Sequence, residues 1–153
     1  MSRALEGRGA VVTGGGRGIG AAIARALAAE GARVMVVARS RAEIDRVAAS
    51  LREAGHTAHA QVGDVVDEAS VHELGRAARA ALGQVDILVN NAGFGSSAPV
   101  QKLTTAEWRR ALDVIATGTF LCTREFLADM IARGWGRIVQ IASSAGLEGA
   151  RFV

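Results

Sequence analysis

Tyrosine is absent from this 153-residue sequence, and several other residue types are scarce. The sequence has one proline, a single lysine (Lys102) and a single cysteine (Cys122). A lone cysteine excludes an internal disulfide and is typical of a reducing compartment, so we expect a cytoplasmic protein. Because Cys122 falls in a predicted helix, we interpret it as a small apolar core residue rather than a reactive thiol.

Long apolar runs and concentrated charge are also missing. No stretch of about 18 apolar residues occurs, so we predict no membrane-spanning helix, and we expect no signal peptide at the N-terminus. The net charge is only +3 and the basic residues are scattered, which argues against nucleic-acid binding. His56, His59 and His72 show no metal-like grouping, so no metal site is predicted.

Short apolar runs alternate with longer amphipathic segments along the chain. Strands are predicted at 9–13, 34–38, 57–62, 85–89 and 137–142. Helices are predicted at 19–30, 40–54, 67–82 and 104–133, with capping boxes at Ser40–Glu43 and Thr104–Glu107 and a cap at Asp67. Apolar strands joined by helices indicate a doubly wound parallel α/β sheet, the Rossmann fold, as one domain over residues 1–153.

The sequence ends eleven residues after the fifth predicted strand. A doubly wound sheet of this kind normally continues with a helix and a sixth strand, so we expect the C-terminal part of the fold to be missing. The fifth strand would then be an open edge. Loss of the next helix would uncover Val114, Phe120 and Phe126 on the long helix.

A glycine-rich turn, TGGGRGIG at 13–20, joins the first predicted strand to its helix. Such a turn lets the backbone bend sharply and approach a pyrophosphate, which meets the free amides at the helix start near Gly18. No Lys-Ser/Thr pair follows the last glycine, which excludes a P-loop. A purely structural turn would not ordinarily need five glycines in seven residues. The predicted dinucleotide-binding residues are Gly14, Gly16, Arg17, Gly18, Ile19 and Gly20.

The end of the second predicted strand bears on which dinucleotide binds. An NAD site usually has an acidic residue there, but residues 36–41 contain no carboxylate and include Arg39. A guanidinium fits a 2′-phosphate, and Arg17 is placed to reach the same phosphate from the other side. We therefore predict NADP (NADPH) over NAD; the alternative is that both arginines are solvated surface residues. The missing acid also weakens the case for a methyltransferase-like Rossmann domain.

Four motifs occur in a fixed order, and together they are similar to one family. They are Thr13-Gly14-x-x-x-Gly18-x-Gly20, Asp64-Val65, Asn90-Asn91-Ala92-Gly93 and Ser143. The sequence resembles the short-chain dehydrogenase/reductase family, specifically its 3-oxoacyl-carrier-protein reductase-like members, over essentially its whole length. The resemblance implies that Asp64 and the Val65 amide contact the adenine. It also implies that Asn91, Ala92 and Gly93 lie beside the nicotinamide ribose.

The same resemblance implies hydride transfer between a nicotinamide and a small carbonyl or alcohol substrate. Ser143 would bind the substrate oxygen, with Ser144 as the neighbouring alternative. The family's helical asparagine is replaced by Ile115, which cannot hydrogen-bond a water. The family's tyrosine and lysine would follow Ser143 at positions 156 and 160, and Lys102 is misplaced for that role. We therefore expect this chain to be the cofactor-binding portion of an NADP-dependent oxidoreductase, inactive alone.

Two further expectations concern partners. The resemblance implies a homo-oligomer formed through the 104–133 helix, and a substrate pocket that draws on 94–99 and 147–151. The alternative function is a non-catalytic nucleotide-binding or interaction module. The sequence does not identify the substrate.

Overall fold

The structure, a computed structural model, describes residues 3–95 and 98–148. Its strands are β1 (Gly9–Thr13), β2 (Arg33–Ala38), β3 (Ala58–Val62), β4 (Ile87–Asn90) and β5 (Arg137–Gln140). Its α-helices are α1 (Gly18–Ala29), α2 (Arg41–Glu53), α3 (Glu68–Leu82), α4 (Thr105–Leu112) and α5 (Gly118–Ala132). No helix within these described ranges combines the length and apolar character needed to cross a membrane.

All five strands are parallel and form one sheet in the order β3-β2-β1-β4-β5. The predicted doubly wound sheet is therefore confirmed. The chain runs outward from β1 to β3 and then returns to place β4 on the other side of β1. This reversal opens a crevice at the carboxyl ends of β1 and β4, where ligands bind in sheets of this kind.

Alternate strand residues point to opposite faces of the sheet, and helices cover both faces. The core beneath α1 and α2 includes Ala10, Val12, Val34, Val36 and Ile44. The core beneath α3 and α5 includes Val11, Leu74, Leu88, Cys122 and Phe126. At the edge strand β5, Val139 is 44% exposed and Ile141, the next residue on the same face, is 38% exposed.

The predicted exposure of the long helix is correct for Phe120 and wrong for Phe126. Phe120 is 56% exposed, whereas Phe126 is 0% exposed. The two side chains lie on different sides of α5, and the side that carries Phe126 packs against Leu74 of α3 and the sheet. Burial of Phe126 therefore needs no further helix.

Two of the three predicted helix caps form as expected. The Thr104 hydroxyl accepts a hydrogen bond from the Glu107 amide at 3.2 Å, and the Glu107 carboxylate accepts one from the Thr104 amide at 2.8 Å. The Thr104 hydroxyl also donates to the Glu107 carboxylate at 2.7 Å, and this bond, together with the one from the Thr104 amide, lowers the pKa of Glu107. Asp67 caps α3. The Ser40–Glu43 capping box is wrong: Ser40 makes no side-chain cap, and the Glu43 side chain packs against Gly16 of the glycine-rich turn rather than turning back to the Ser40 amide.

The predicted long helix at 104–133 divides into α4, a π-helical turn at Asp113–Thr117, and α5. Such turns are rare and frequently occur at functional sites. Ile115 lies in the middle of the turn. Directly after it, a Cβ on Gly118 would lie 2.7 Å from Val65 Cγ2, so glycine allows the helix to approach the chain that follows β3. Apolar periodicity alone did not reveal the wider turn.

Cys122 is 0% exposed, which confirms its interpretation as a core residue. Burial, with the nearby charge of Glu125, raises the pKa of its thiol to about 12. We expect Ellman's reagent at pH 8 to react with the native chain about a hundredfold more slowly than with the urea-unfolded chain. Because Cys122 is the only thiol, one colour-release trace measures the reaction. Rapid stoichiometric labelling of the native chain would contradict this packing of α5.

Candidate functional site: the cofactor cleft

A cleft of about 760 Å³ opens at the carboxyl ends of β1, β2, β3 and β4. This volume lies within the usual range for small-molecule and cofactor sites. The cleft brings together all twelve cofactor-binding residues predicted from sequence. They are Gly14, Gly16, Arg17, Gly18, Ile19, Gly20, Arg39, Asp64, Val65, Asn91, Ala92 and Gly93.

The glycine-rich turn lines the cleft, and two of its glycines are required by backbone conformation or by close packing. Gly14 has φ +63°, a left-handed conformation that favours glycine. A Cβ on Gly20 would overlap the Gly14 carbonyl oxygen and lie 2.5 Å from Asn91 Nδ2. By contrast, a Cβ on Gly18 would meet nothing within 4 Å, so there is open space where α1 begins. That space fits a phosphate at a helix N-terminus.

Asn91 and Thr13 hold the turn against the end of β4. The side-chain amide of Asn91 donates to the carbonyl oxygens of Thr13 at 3.0 Å and Gly14 at 3.2 Å. The Thr13 hydroxyl accepts from the backbone amides of Asn91 at 3.1 Å and Ala92 at 3.0 Å, and donates to the Val89 carbonyl at 3.3 Å. Asn91 is therefore a positioning residue for the turn. Its contact with a nicotinamide ribose stays a prediction.

Asp64 and Val65 form the wall that follows β3. The Asp64 carboxylate accepts a hydrogen bond from the Val66 amide at 3.2 Å, and the Asp64 amide donates to the Ser70 hydroxyl at 2.9 Å. These bonds hold the short segment between β3 and α3 in place. The cap of α3 is Asp67, which leaves Asp64 to line the cleft.

The wall formed by α4 was missed in the sequence. It contributes Ala106, Arg109 and Arg110, and the π-helical turn that follows contributes Asp113 and Val114. The Arg110 guanidinium lies 5.0 Å from the centre of the Phe94 ring, within the range of a cation–π contact. Residues 106, 110 and 113 are spaced so that they lie on one face of a helix, and this spacing was the only sign in the sequence that they act together. The sequence does not show that this face borders the cleft, because that depends on contacts between segments far apart in the chain.

Glu43 also lines the cleft and was missed, because its spacing from Ser40 was interpreted as a capping box. It lies in the first turn of α2, close to Arg39. The acidic residue of an NAD site is expected at the end of β2. Glu43 instead lies in the helix that follows β2.

Ser143 is not among the residues that line the cleft. It lies beyond β5, exposed, and its hydroxyl accepts a hydrogen bond from the Ala145 amide at 3.2 Å at the start of a short 3₁₀ turn, Ser144–Gly146. Its contact with a substrate stays a prediction. Parts of the expected substrate pocket, 96–97 and 149–151, lie outside the described residues.

The histidines take no part in the cleft. His72 Nδ1 lies 2.7 Å from the Glu125 carboxylate, in a polar contact between α3 and α5. Within the parts of the chain that the structure describes, no group of three or more His, Cys, Asp or Glu side chains is arranged to hold a metal ion.

Comparison with known proteins matches residues 8–153 to the short chain dehydrogenase family. The sequence is 43% identical over 143 residues to galactitol 2-dehydrogenase from Rhizobium johnstonii. The alignment covers 93% of this chain and 55% of that enzyme. The chain therefore spans little more than half the length of this curated relative.

Two solved structures share the fold and differ in cofactor. A gluconate 5-dehydrogenase from Burkholderia cenocepacia, in complex with NADP and tartrate, superposes with a TM-score of 0.92 at 34% identity. The match covers 99% of this chain and 60% of that one. An NAD⁺-bound xylitol dehydrogenase superposes with a TM-score of 0.93 at 35% identity, covering 97% of this chain and 58% of that one.

Proposed function

This chain belongs to the short chain dehydrogenase family, and from that premise we propose that it is the cofactor-binding portion of an NADP-dependent oxidoreductase. Residues 1–153 form a single nucleotide-binding domain in this proposal. The whole protein transfers hydride between the nicotinamide and a small carbonyl or alcohol compound. The observation that carries the proposal is the convergence of all twelve predicted residues on one cleft.

In this proposal, different residues of the cleft bind different parts of the dinucleotide. The free amides at the start of α1 and the positive end of its dipole bind the pyrophosphate, while Gly14 and Gly20 let the backbone approach it. The Asp64 carboxylate accepts from the adenine amine. Asn91 holds the glycine-rich turn against the end of β4 and lies beside the nicotinamide ribose. The cofactor supplies the hydride chemistry, and the chain supplies position and charge.

The preference for NADP rests on two arginines. Arg17 and Arg39 both line the cleft, are exposed, and form no ion pair within residues 3–95 and 98–148. Their charge is therefore available to a 2′-phosphate. The two structural neighbours bind NADP and NAD⁺ respectively, so this fold accommodates both cofactors. In dinucleotide-binding sheets of this kind, the residue at the end of the second strand discriminates between them.

Replacing Arg39 with alanine is expected to raise the Kd for NADPH by about thirtyfold, because a charge-assisted contact with the 2′-phosphate is lost. The Kd for NADH, which lacks that phosphate, should change by less than about twofold. Titration of nicotinamide fluorescence measures both. The matched control is Arg41→Ala, since Arg41 is exposed, pairs with Asp45 and lies outside the cleft lining. Equal losses for the two cofactors would contradict NADP selectivity through Arg39.

Turnover by the chain alone is not part of the proposal. The 153 residues contain no tyrosine to serve as the family's general acid, and Lys102 is the sole lysine. Ser143 lies outside the cleft lining. The alternative is a nucleotide-binding module without catalysis. NADPH oxidation by the whole protein with a panel of small ketones and aldehydes separates the two: turnover supports the oxidoreductase, and binding without turnover supports the module.

We also propose that copies of the whole protein associate through the α4–α5 segment. Its exposed apolar side chains include Trp108, Leu112, Ile115, Phe120 and Ile131. Large apolar surfaces of this kind commonly mark protein–protein contacts.

A further inference from the structure

The β2 end of the cleft carries charged side chains of both signs. Arg17 lies in the glycine-rich turn, Arg39 directly follows β2, and Glu43 lies in the first turn of α2; all three line the cleft. The arginines attract a 2′-phosphate, whereas the carboxylate repels it. This end of the cleft is therefore not a purely cationic phosphate site.

Packing fixes the direction of the Glu43 side chain. A Cβ on Gly16 would lie 2.9 Å from Glu43 Cβ and 3.3 Å from Glu43 Oε2. The next residue, Ile44, is fully buried in the core beneath α1 and α2 and anchors the first turn of α2. Ser40 makes no capping hydrogen bond that would draw Glu43 back to the helix start. The carboxylate therefore lies against the glycine-rich turn, on the cleft side.

The charge of Glu43 is not neutralised by its neighbours. Within the described ranges, neither Arg17 nor Arg39 forms an ion pair with Glu43, and Glu43 has no hydrogen-bonded side-chain partner there. The side chain is half-buried rather than fully solvated, so its field acts on a ligand in the cleft with less screening than that of a surface carboxylate.

We propose that Glu43 sets the selectivity of this cleft between the two nicotinamide dinucleotides, an inference that rests on the proposed dinucleotide binding. Its carboxylate opposes the 2′-phosphate of NADP(H), and it accepts a hydrogen bond from the adenine-ribose hydroxyls of NAD(H). In NAD-binding sheets, an acidic side chain at the end of the second strand accepts the hydrogen bond from the ribose hydroxyl. Here the acid comes from the first turn of the next helix. Arg17 and Arg39 favour NADP(H), and Glu43 limits how large that preference becomes.

The test compares wild type with Glu43→Gln, which keeps the size of the side chain and removes its charge. Isothermal titration calorimetry at low ionic strength measures NADPH, NADH and the adenine-end fragments 2′,5′-ADP and 5′-AMP on the purified chain. We expect Glu43→Gln to bind NADPH and 2′,5′-ADP about tenfold more tightly, because a like charge is gone. It should bind NADH and 5′-AMP about threefold more weakly, because a hydrogen-bond acceptor is weakened.

The matched control is Glu53→Gln, which removes the same charge from the last turn of α2, outside the cleft lining. It should change each Kd by less than about twofold. Glu43→Asp should give an NADPH-to-NADH ratio between those of wild type and Glu43→Gln. An unchanged ratio in Glu43→Gln, with NADPH bound normally by wild type, overturns this inference alone. Failure of wild type to bind either dinucleotide overturns the proposed function, and this inference with it.

Discussion

Replacing Gly20 with alanine is expected to abolish dinucleotide binding, raising the Kd for NADPH by about a hundredfold or more. The added methyl group would overlap the Gly14 carbonyl oxygen and lie 2.5 Å from Asn91 Nδ2. Both are parts of a hydrogen-bonded unit, since Asn91 donates to the Gly14 carbonyl. Backbone cannot give way as a flexible side chain can, so the turn must move off the end of β4. The amides that face the pyrophosphate move with it.

The same substitution tests whether binding is lost through the turn or through unfolding. Far-ultraviolet circular dichroism should retain the helical signal of the Gly20→Ala variant, with thermal stability reduced, while calorimetry detects no NADPH binding. Gly146→Ala is the matched control: it adds the same methyl group in open space beyond β5, where a Cβ would meet nothing within 4 Å. Normal NADPH affinity in Gly20→Ala would show that the turn does not form the pyrophosphate site.

Most of the fold could be predicted because short apolar runs and helical periods are local signals. Buried parallel strands are apolar on both faces, so they stand out between Ala-rich helices. The glycine-rich turn and Arg39 could be placed from the fold, because the carboxyl ends of parallel strands share one edge of the sheet. The rest of the site was predicted from the family resemblance. Asp64 and Asn91 were predicted in this way; each follows a strand, and the sheet brings both to one cleft with Gly14.

The features that the sequence did not reveal all depend on contacts between distant segments. Phe126 and Phe120 are equally apolar, and only the packing of α5 on α3 decides which one is buried. The Ser40–Glu43 spacing suits a capping box as well as Thr104–Glu107 does. The difference is that Glu43 can pack against Gly16, whereas Glu107 lies exposed with Thr104 as its hydrogen-bond partner.

A similar limit applies to the α4 wall and the π-helical turn. The turn at Asp113–Thr117 adds width within a continuous run of helical backbone, and a 3.6-residue pattern does not detect it. Arg109 and Arg110 look like solvated helix residues in the sequence. Their place at the cleft depends on how the chain after β4 returns to the sheet.

The Thr13 side chain contributes both to the stability of the fold and to the shape of the cleft. Its side chain is 1% exposed, and its hydroxyl accepts hydrogen bonds from two consecutive backbone amides, those of Asn91 and Ala92. The hydroxyl also donates to the Val89 carbonyl of the neighbouring strand. One side chain thus joins the end of β1 to the chain leaving β4. No other strand pairing links these two segments beyond Val12 and Val89 in the described residues.

Replacing Thr13 with valine is therefore expected to lower the free energy of unfolding by about 3 kcal/mol, because two amides lose their acceptor while the shape of the side chain is kept. That is a large share of a stability that is ordinarily about 5 to 15 kcal/mol. Thr13→Ser is the matched control, since it keeps the hydroxyl and loses only a methyl group. It should cost about 1 kcal/mol. Urea unfolding followed by circular dichroism measures both variants.

The comparison of the two variants also separates packing from hydrogen bonding at this junction. If the methyl group of Thr13 stabilised the fold more than its hydroxyl, Thr13→Ser would unfold at lower urea than Thr13→Val, and the junction described here would be wrong. If the hydrogen bonds of the hydroxyl contribute more, Thr13→Val unfolds at a lower urea concentration than Thr13→Ser. This explanation further requires that Thr13→Val, at a temperature where it remains folded, bind NADPH more weakly than Thr13→Ser. The reason is that the Asn91 backbone amide loses its hydrogen bond to the Thr13 hydroxyl, so the Asn91 side chain, which still donates to the Thr13 carbonyl, positions the glycine-rich turn less firmly.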